Sequence, residues 1–280
     1  MDQTQHPEVS IIIPCYNHGH FLEDALSSLE ENGLTAISEV IIVNDGSTDV
    51  NTISKLKELE ARGWRVIHQE NGGLSAARNT GISASTTDYI LPLDADNKLT
   101  KMYPTKGIQI MKDHPEVSVV YGDATYFGSK TGLWKNQPWN LQRLMLSNFI
   151  DACALIRKKD LVEVGGYTKK ENGWEDWNLW LNLAFKGKKF YYLPEVCFEY
   201  RVVEQSMVRS LNRQKNWSNA TLEQILESNR PYTDPAALEE YIIDQYKKNP
   251  IGYSIKLFLK AYLPGWYNYL YKKKLVRKHF

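Results

Sequence analysis

The sequence predicts an α/β fold in which a mostly parallel β-sheet is flanked by helices and followed by a helical C-terminal extension. Within the first hundred residues, short apolar runs alternate with stretches that have the period of a helix. These runs are mostly apolar and do not alternate with polar residues, which is typical of parallel strands covered on both faces. From about residue 209 onward the pattern is helical and has no strand-like run, which indicates a separate extension.

The first half contains four predicted strands and three predicted helices in alternation. The strands lie at residues 9–13, 40–43, 64–68 and 89–93, and the helices at residues 21–31, from the cap residues 47–49 to Arg62, and at 75–84. After residue 100 the pattern loosens. It predicts strands at 117–121, 189–193 and 196–201, and helices at 161–164 and 177–185.

Charge is distributed unevenly along the chain. The net charge is +1, but residues 251–280 contain seven Lys and Arg side chains and no acid, so the remaining residues carry an excess of six acids. This distribution argues against a body that binds nucleic acid. Cys15, Cys153 and Cys197 have no zinc-site or CxxC spacing, the N-terminus is polar, and no apolar run of membrane-spanning length is present. We therefore expect a cytoplasmic protein.

Polar residues follow three of the predicted strands at the point where each strand ends. They occupy residues 14–17, 44–47 and 94–97. In a parallel sheet these carboxyl ends meet along one edge, where ligands bind. Asp94 and Asp96 follow a buried strand directly, and such a pair suits a hard cation, Mn²⁺ or Mg²⁺, that also binds substrate phosphates. The sequence therefore predicts a nucleotide and metal site at this edge.

Four motifs in this order closely resemble those of the family 2 glycosyltransferases. They are VSIIIPCYN at residues 9–17, EVIIVNDGSTD at 39–49, NGGLSAARN at 71–79 and LDADN at 93–97. The resemblance covers about residues 8–208. It implies an inverting enzyme with a GT-A-like, Rossmann-type domain over residues 1–208, of which 1–100 bind the nucleotide and 101–208 the acceptor, followed by the extension 209–280.

The resemblance also implies roles for individual residues. Tyr16 would stack on the donor base, Asp45 would accept a hydrogen bond from the base edge, and Asp94 would hold the ribose. Arg78 would lie near the nucleotide or its diphosphate, and Asp96 would bind the metal. Many relatives have two acids where this chain has Asn44-Asp45. The complete nucleotide-binding set is Pro14, Tyr16, Asn17, Asp45, Arg78 and Asp94.

An inverting transfer requires a base that takes the acceptor proton. Residues 172–177, NGWEDW, resemble the family's Glu-Asp motif, which makes Asp176 the candidate base. A neighbouring acid and flanking tryptophans predict a raised pKa for Asp176, although a helix N-terminus opposes the rise. The alternative is that the two acids only cap the helix. Trp174, Glu175 and Arg201 are candidate diphosphate or acceptor contacts, and the alternative for Arg201 is a surface ion pair.

The sequence thus predicts transfer of a single sugar from a nucleotide-sugar, a UDP-sugar, to a hydroxyl of a carbohydrate or lipid-linked acceptor in polysaccharide or glycolipid synthesis. A nucleotidyltransferase of similar fold and a non-catalytic carbohydrate-binding or scaffold protein are the alternatives. Aromatic residues beside lysines at 251–280 predict a peripheral anchor on the anionic inner face of the cell membrane. The alternatives for this tail are packing on the body and a dimer contact.

Overall fold

The computed structural model describes residues 9–31, 37–168 and 174–203, with residues 243, 244, 246, 247 and 250 beyond them. The extension 209–280 therefore lies almost entirely outside the described residues, and the predicted membrane tail at 251–280 lies wholly outside them. The described helices are each too short or too polar to cross a lipid bilayer.

The predicted elements of the first half are confirmed. The strands are β1 (Val9–Cys15), β2 (Ile37–Asp45), β3 (Arg65–Gln69) and β4 (Tyr89–Pro92), and the helices are α1 (Leu22–Glu31), α2 (Val50–Ala61) and α3 (Leu74–Ala84). A short 3₁₀ turn at Gly19–Phe21 precedes α1. The Asp49 carboxylate caps α2 by accepting a hydrogen bond from the Thr52 amide at 2.7 Å, as the cap residues in the sequence predict.

The second half is richer in elements than the sequence predicts. It contains β5 (Lys98–Leu99), α4 (Tyr103–Asp113), β6 (Val117–Gly128), β7 (Gly132–Trp134), α5 (Leu141–Leu146), β8 (Leu155–Arg157), α6 (Lys158–Glu163), α7 (Glu175–Phe185) and β9 (Lys189–Val202). The two strands predicted at 189–193 and 196–201 form one strand, β9. A shift in its pairing with β6 accommodates the interruption at Pro194-Glu195, so the proline does not end the strand.

The nine strands of the described residues form one sheet with the order β3-β2-β1-β4-β8-β6-β9-β5, and β7 pairs with β6 outside this path. The first four strands are parallel neighbours. Strand β8 is antiparallel to both β4 and β6, whereas β6 and β9 are parallel. The carboxyl ends of β1, β2 and β4 therefore meet at one edge, as the parallel pattern predicts.

Two apolar clusters cover the two faces of the sheet. Alternating residues of β1 divide between them, with Ile11 and Ile13 in one cluster and Ile12 in the other. Helices α1, α2 and α4 contribute to the first cluster, and α3, α5 and α7 contribute to the second. Helix α7 thereby packs on the same face as α3, and this arrangement brings the two halves of the candidate site together.

Candidate active site

The loops that follow β1 and β2 are joined by Asn17. Its Oδ1 accepts hydrogen bonds from the amides of Thr48 at 2.8 Å and Asp49 at 2.9 Å. Its own amide donates to Ser47 Oγ at 3.1 Å. Asn17 has a φ of 57°, a left-handed conformation that asparagine tolerates better than most residues. The structure therefore gives Asn17 the task of holding two loops of the predicted nucleotide site together, and direct contact with a nucleotide stays a prediction.

Tyr16 and Pro14 occupy different environments at the end of β1. Pro14 is buried in the strand, where it pairs with Val43 of β2. Tyr16 is 46% exposed, unusually open for an aromatic side chain in a loop between packed strands. An exposed ring beside the carboxyl ends of parallel strands suits a stacking surface for a base. The stacking role of Tyr16 stays a prediction with this geometry in its favour.

The carboxylate of Asp45 is occupied by the protein itself. It accepts hydrogen bonds from Gln69 Nε2 at 2.7 Å and from the amides of Gly72 and Gly73, both at 2.8 Å. Asp45 is only 3% exposed. An ionised carboxylate accepts hydrogen bonds and donates none, so Asp45 fixes the turn that begins α3. The contact with the base edge that the sequence predicts for Asp45 has no support in these bonds and stays a prediction.

Arg78 bridges the two halves of the site. Its Nη2 atom donates to Asp94 Oδ1 at 2.7 Å, and its Nη1 atom donates to Glu175 Oε1 at 2.6 Å. The Arg78 side chain is 1% exposed, so these two carboxylates are the anions that permit its burial. The sequence prediction placed Arg78 beside the nucleotide or its diphosphate. In the structure its immediate partners are Asp94 and Glu175, which joins the Asp-x-Asp loop to the start of α7, and a contact of Arg78 with the nucleotide stays a prediction.

Asp96 lies in the loop after β4, beside Asp94. Burial and the like charge of Asp94 raise the pKa of Asp96 to about 6. A carboxylate in this state is stabilised by a cation, because a positive charge offsets both effects. Among the described residues no group of three His, Cys, Asp or Glu side chains could by itself hold a metal ion. The residues present fit a hard cation bound by one or two carboxylates that takes its other ligands from water and phosphate oxygens.

Arg201, at the end of β9, supports the Asp-x-Asp loop from the side. Its Nε atom donates to the carbonyl oxygen of Asp96 at 2.8 Å, and its amide donates to Asn97 Oδ1 at 3.0 Å. Its guanidinium forms an ion pair with Asp24 and lies over the rings of Phe21 and Phe127. The structure thus contains an ion pair of Arg201, the alternative to a diphosphate contact that the sequence left open. A contact of Arg201 with a diphosphate stays a prediction.

Asp176 lies in the first turn of α7, next to Glu175. Its Oδ1 accepts a hydrogen bond from the Trp177 amide at 2.7 Å, and its Oδ2 accepts one from Asn148 Nδ2 at 2.9 Å. Burial, followed by the charges of Glu175 and Asp151, raises the pKa of Asp176 to about 8, while Arg78 opposes the rise. The direction matches the one expected from the sequence. A carboxyl group in this range is suited to accept a proton near neutral pH.

Several residues that the sequence did not single out complete the site. Burial and the charge of Asp94 raise the pKa of Asp151 to about 7, so Asp151 lies among the same acids. We call Asp94, Asp96, Asp151, Glu175 and Asp176 the acidic centre. Tyr167 lies against Arg78, whose guanidinium carbon is 5.1 Å from the centre of the tyrosine ring. Within the described part of the chain, Tyr167 Oη and Arg78 Nε are buried without a hydrogen-bond partner.

Trp174 immediately precedes α7 with a φ of 65°. Its ring meets Trp177 edge-on, with 5.6 Å between ring centres, and packs partly buried against the apolar cluster that contains α7. This position is adjacent to the acidic centre, but the role of Trp174 on the acceptor side stays a prediction.

Comparison with known proteins agrees with this geometry. The family model described as Glycosyl transferase family 2 matches residues 10–182. The amylovoran biosynthesis glycosyltransferase AmsE of Erwinia amylovora is 28% identical over 229 residues, which cover 75% of this chain and 80% of AmsE. Alignments with three other curated relatives, at 47%, 36% and 33% identity, span 26%, 38% and 33% of those proteins' lengths. The chain therefore matches less than half of each of those three.

Two solved structures share the fold. S. aureus TarS 1-349 in complex with UDP-GlcNAc superimposes with a TM-score of 0.62 at 16% identity, over 90% of this chain and 77% of that one. The mannosyltransferase PcManGT from Pyrobaculum calidifontis, in complex with GDP-Man and Mn²⁺, gives a TM-score of 0.56 at 18% identity, over 89% and 83% of the two chains. The predicted GT-A-like fold is thereby confirmed.

Proposed function

Because the chain belongs to glycosyl transferase family 2, we propose that it is an inverting, metal-dependent glycosyltransferase that moves one sugar from a UDP-sugar to an acceptor hydroxyl. The observation that carries the proposal is the bridge formed by Arg78. It ties Asp94, in the loop predicted to hold the donor and metal, to Glu175, the neighbour of the proposed base. The groups that we propose to bind the donor and to accept the proton thereby lie at one centre.

The proposed reaction is a single displacement. The acceptor oxygen forms a bond to the anomeric carbon as the bond from that carbon to the diphosphate oxygen breaks, and the departing electron pair stays on the diphosphate. The acceptor proton passes to the carboxylate of Asp176. Attack from the face opposite the leaving group inverts the anomeric carbon. The raised pKa of Asp176, about 8, favours its acting as this base.

The proposed cofactor is Mn²⁺ or Mg²⁺, held by Asp96. A bound divalent cation would neutralise the charge that grows on the departing diphosphate. Support comes from the raised pKa of Asp96 and from the Mn²⁺ present with the structural neighbour PcManGT. Arg201 would keep the loop of Asp96 in place through the backbone contact at 2.8 Å.

The donor and the acceptor are proposed from similarity to other proteins. The neighbour TarS was solved with UDP-GlcNAc and PcManGT with GDP-Man, so UDP is proposed over GDP from the motif resemblance and not from the fold. The acceptor is proposed to be a carbohydrate or lipid-linked saccharide in polysaccharide or glycolipid synthesis. The biosynthetic role stated in the name of AmsE supports this class.

Isothermal titration calorimetry tests the donor and metal parts together. UDP and GDP are titrated into wild type and Asp96→Ala, each with and without Mn²⁺. We expect UDP to bind the wild type in a Mn²⁺-dependent manner and Asp96→Ala to lose that dependence. Preference for GDP would overturn the base assignment, and no nucleotide binding under any condition would favour a non-catalytic scaffold.

A turnover assay tests the base. A panel of UDP- and GDP-sugars is screened for release of the nucleoside diphosphate, first with water and then with simple saccharides as acceptor. Asp176→Asn is expected to bind UDP and Mn²⁺ as the wild type does, with turnover lower by ~10²–10⁴. Wild-type turnover by Asp176→Asn would refute the assignment of the base while leaving the donor site intact.

The location of the protein is also a proposal. Residues 251–280, with seven basic groups and no acid, are proposed to attach a cytoplasmic protein to the inner face of the cell membrane. Flotation with vesicles of phosphatidylcholine and phosphatidylserine, comparing the full chain with one ending at Pro250, tests this. Equal flotation of both chains would assign the tail to packing on the body or to a dimer contact.

A further inference from the structure

Asn148 lies outside α7, and its side chain contacts Asp176, the proposed base. Its Nδ2 atom donates to Asp176 Oδ2 at 2.9 Å. Its Oδ1 atom accepts from the Ile150 amide at 3.3 Å, which orients the amide group so that its nitrogen faces the carboxylate. Since the Trp177 amide occupies Oδ1, each oxygen of Asp176 is held by one donor from a different element.

The loop that carries Asn148 is fastened to α7 on both sides of this residue. Before it, the carbonyl oxygen of Leu144 accepts a hydrogen bond from Trp177 Nε1 at 2.6 Å. After it, the carbonyl oxygen of Ile150 accepts one from Trp180 Nε1 at 3.0 Å. Both indoles are buried. Two rigid donors on the helix of Asp176 therefore fix the distance between Asn148 and the carboxylate, which a free surface loop would not do.

The charges around Asp176 show why a neutral donor matters here. Glu175 on its own helix and Asp151 on the loop of Asn148 both raise its pKa, and Tyr167 also lies within its electrostatic range. The single cation among the groups that shift this pKa is Arg78, and its two terminal nitrogens donate to Asp94 and Glu175. The amide of Asn148 thus stabilises the ionised carboxylate by direct contact, where the neighbouring acids destabilise it.

We propose that Asn148 is a positioning residue for the transfer reaction, one that orients the carboxylate of Asp176 and favours its ionised form. A carboxylate has about four lone-pair sites, so the two bonds to Asn148 and Trp177 leave sites on both oxygens for the acceptor proton. The inference rests on the proposed function, because it assigns Asn148 a role only if Asp176 is the base. The proposed role of Asn148 does not involve a contact with the donor or the metal.

The pH dependence of turnover separates this role from a structural one. The base must be ionised to accept a proton, so activity rises with pH through the pKa of Asp176. Asn148→Asp keeps the side-chain shape and the oxygen that accepts from Ile150, but it replaces the donor with a like charge. We expect the acidic limb of the kcat profile to move up by about one to two pH units. At neutral pH, kcat should fall roughly tenfold or more while the donor KM stays within about twofold.

A matched control is available on α7. Asn178 is 3% exposed, and its Nδ2 donates to Thr168 Oγ1 at 2.8 Å. Within the described part of the chain, the Asn178 side chain forms no hydrogen bond with the carboxylate of Asp176. Asn178→Ala therefore removes a comparable buried amide without removing the donor to the base. We expect it to lower Tm without moving the pH profile. Asn148→Ala, which removes the donor without adding a charge, should move the limb in the same direction as Asn148→Asp, and by less.

The assay measures release of UDP from the UDP-sugar found by the donor screen, with water as acceptor, for wild type, Asn148→Asp, Asn148→Ala and Asn178→Ala. The inference is overturned if both Asn148 variants keep the wild-type pH profile, or if Asn178→Ala moves it equally. Asp176→Asn is measured alongside. If that variant keeps normal turnover, the proposed base itself fails. If it is inactive while the Asn148 variants have wild-type profiles, only the role of Asn148 fails.

Discussion

The ion pairs of Arg78 permit a quantitative test of how the two halves of the site are held together. Arg78→Met keeps an unbranched apolar stem but removes the guanidinium and its charge, which leaves Asp94 and Glu175 without their shared cation. Breaking a buried ion pair typically costs ~3–5 kcal/mol. Here the side chain of Glu175 is 10% exposed but that of Asp94 is 32% exposed, so water screens part of the loss. We therefore expect the lower end, about 3 kcal/mol, and a Tm lower by ~6–12 °C.

Thermal unfolding of four proteins checks this reasoning. Besides wild type and Arg78→Met, the set includes Arg62→Met as a control, because Arg62 pairs with Glu23 and Glu58 at the surface and its removal should leave Tm nearly unchanged. In Arg78→Met/Glu175→Gln the more buried of the two unpaired carboxylates is replaced by a neutral amide, so about 1 kcal/mol or more of the lost stability should return. A Tm for Arg78→Met equal to that of the control, or simple additivity in the double variant, would refute the bridge.

Three further outcomes are expected. Tyr16→Ala should weaken UDP binding by ~5- to 150-fold in calorimetry, because it removes one stacked ring. Tyr191→Ala, which removes an exposed ring distant in sequence, should leave UDP binding unchanged. Asp45→Asn should lower Tm, because an amide nitrogen would then face a backbone donor at the start of α3; an unchanged Tm would contradict the geometry of those bonds. Folding raises the pKa of Asp176 from 3.8 to about 8, so between these pH values the folded state binds a proton that the unfolded state has lost, and the stability of the wild type falls as pH rises. Asp176→Asn has no such proton to lose, so its Tm relative to wild type should increase from pH 4 to pH 8. A constant difference in Tm would disprove the raised pKa.

The first half of the fold and its share of the site could be predicted because periodicity and position coincide there. Strands β1, β2 and β4 each contain a mostly apolar run, and polar residues follow each of these runs closely. Tyr16, Asp45 and Asp96 are therefore visible as residues at one edge of a parallel sheet. Their individual tasks are less visible. Two of the three hydrogen bonds that the Asp45 carboxylate accepts come from backbone amides more than 25 residues away in the chain, and the third comes from the side chain of Gln69, so no local pattern in the sequence reveals them.

The second half could not be predicted to the same depth, for two physical reasons. Strand β8 has only three residues, which are too few for a periodic pattern. The sequence therefore does not identify the loop before β8, which carries Asn148 and Asp151, as part of the site. Glu175, which pairs with Arg78, lies 97 residues further along the chain. Whether two charged residues at such a separation pair depends on how α3 and α7 pack on one face of the sheet. The motif at residues 172–177 was visible only through its resemblance to the family.

The arrangement of charge explains how these two halves can act as one site. Among the described residues, the cations that act on the five carboxyl groups of the acidic centre are Arg78 and, beside Asp96, Arg201, so the centre has an excess of acids. Burial is the main cause of the raised pKa values of Asp96, Asp151 and Asp176, and the charges of the neighbouring acids add to it. A divalent cation at Asp96 would lower that excess, and with it the pKa of the carboxyl groups nearby.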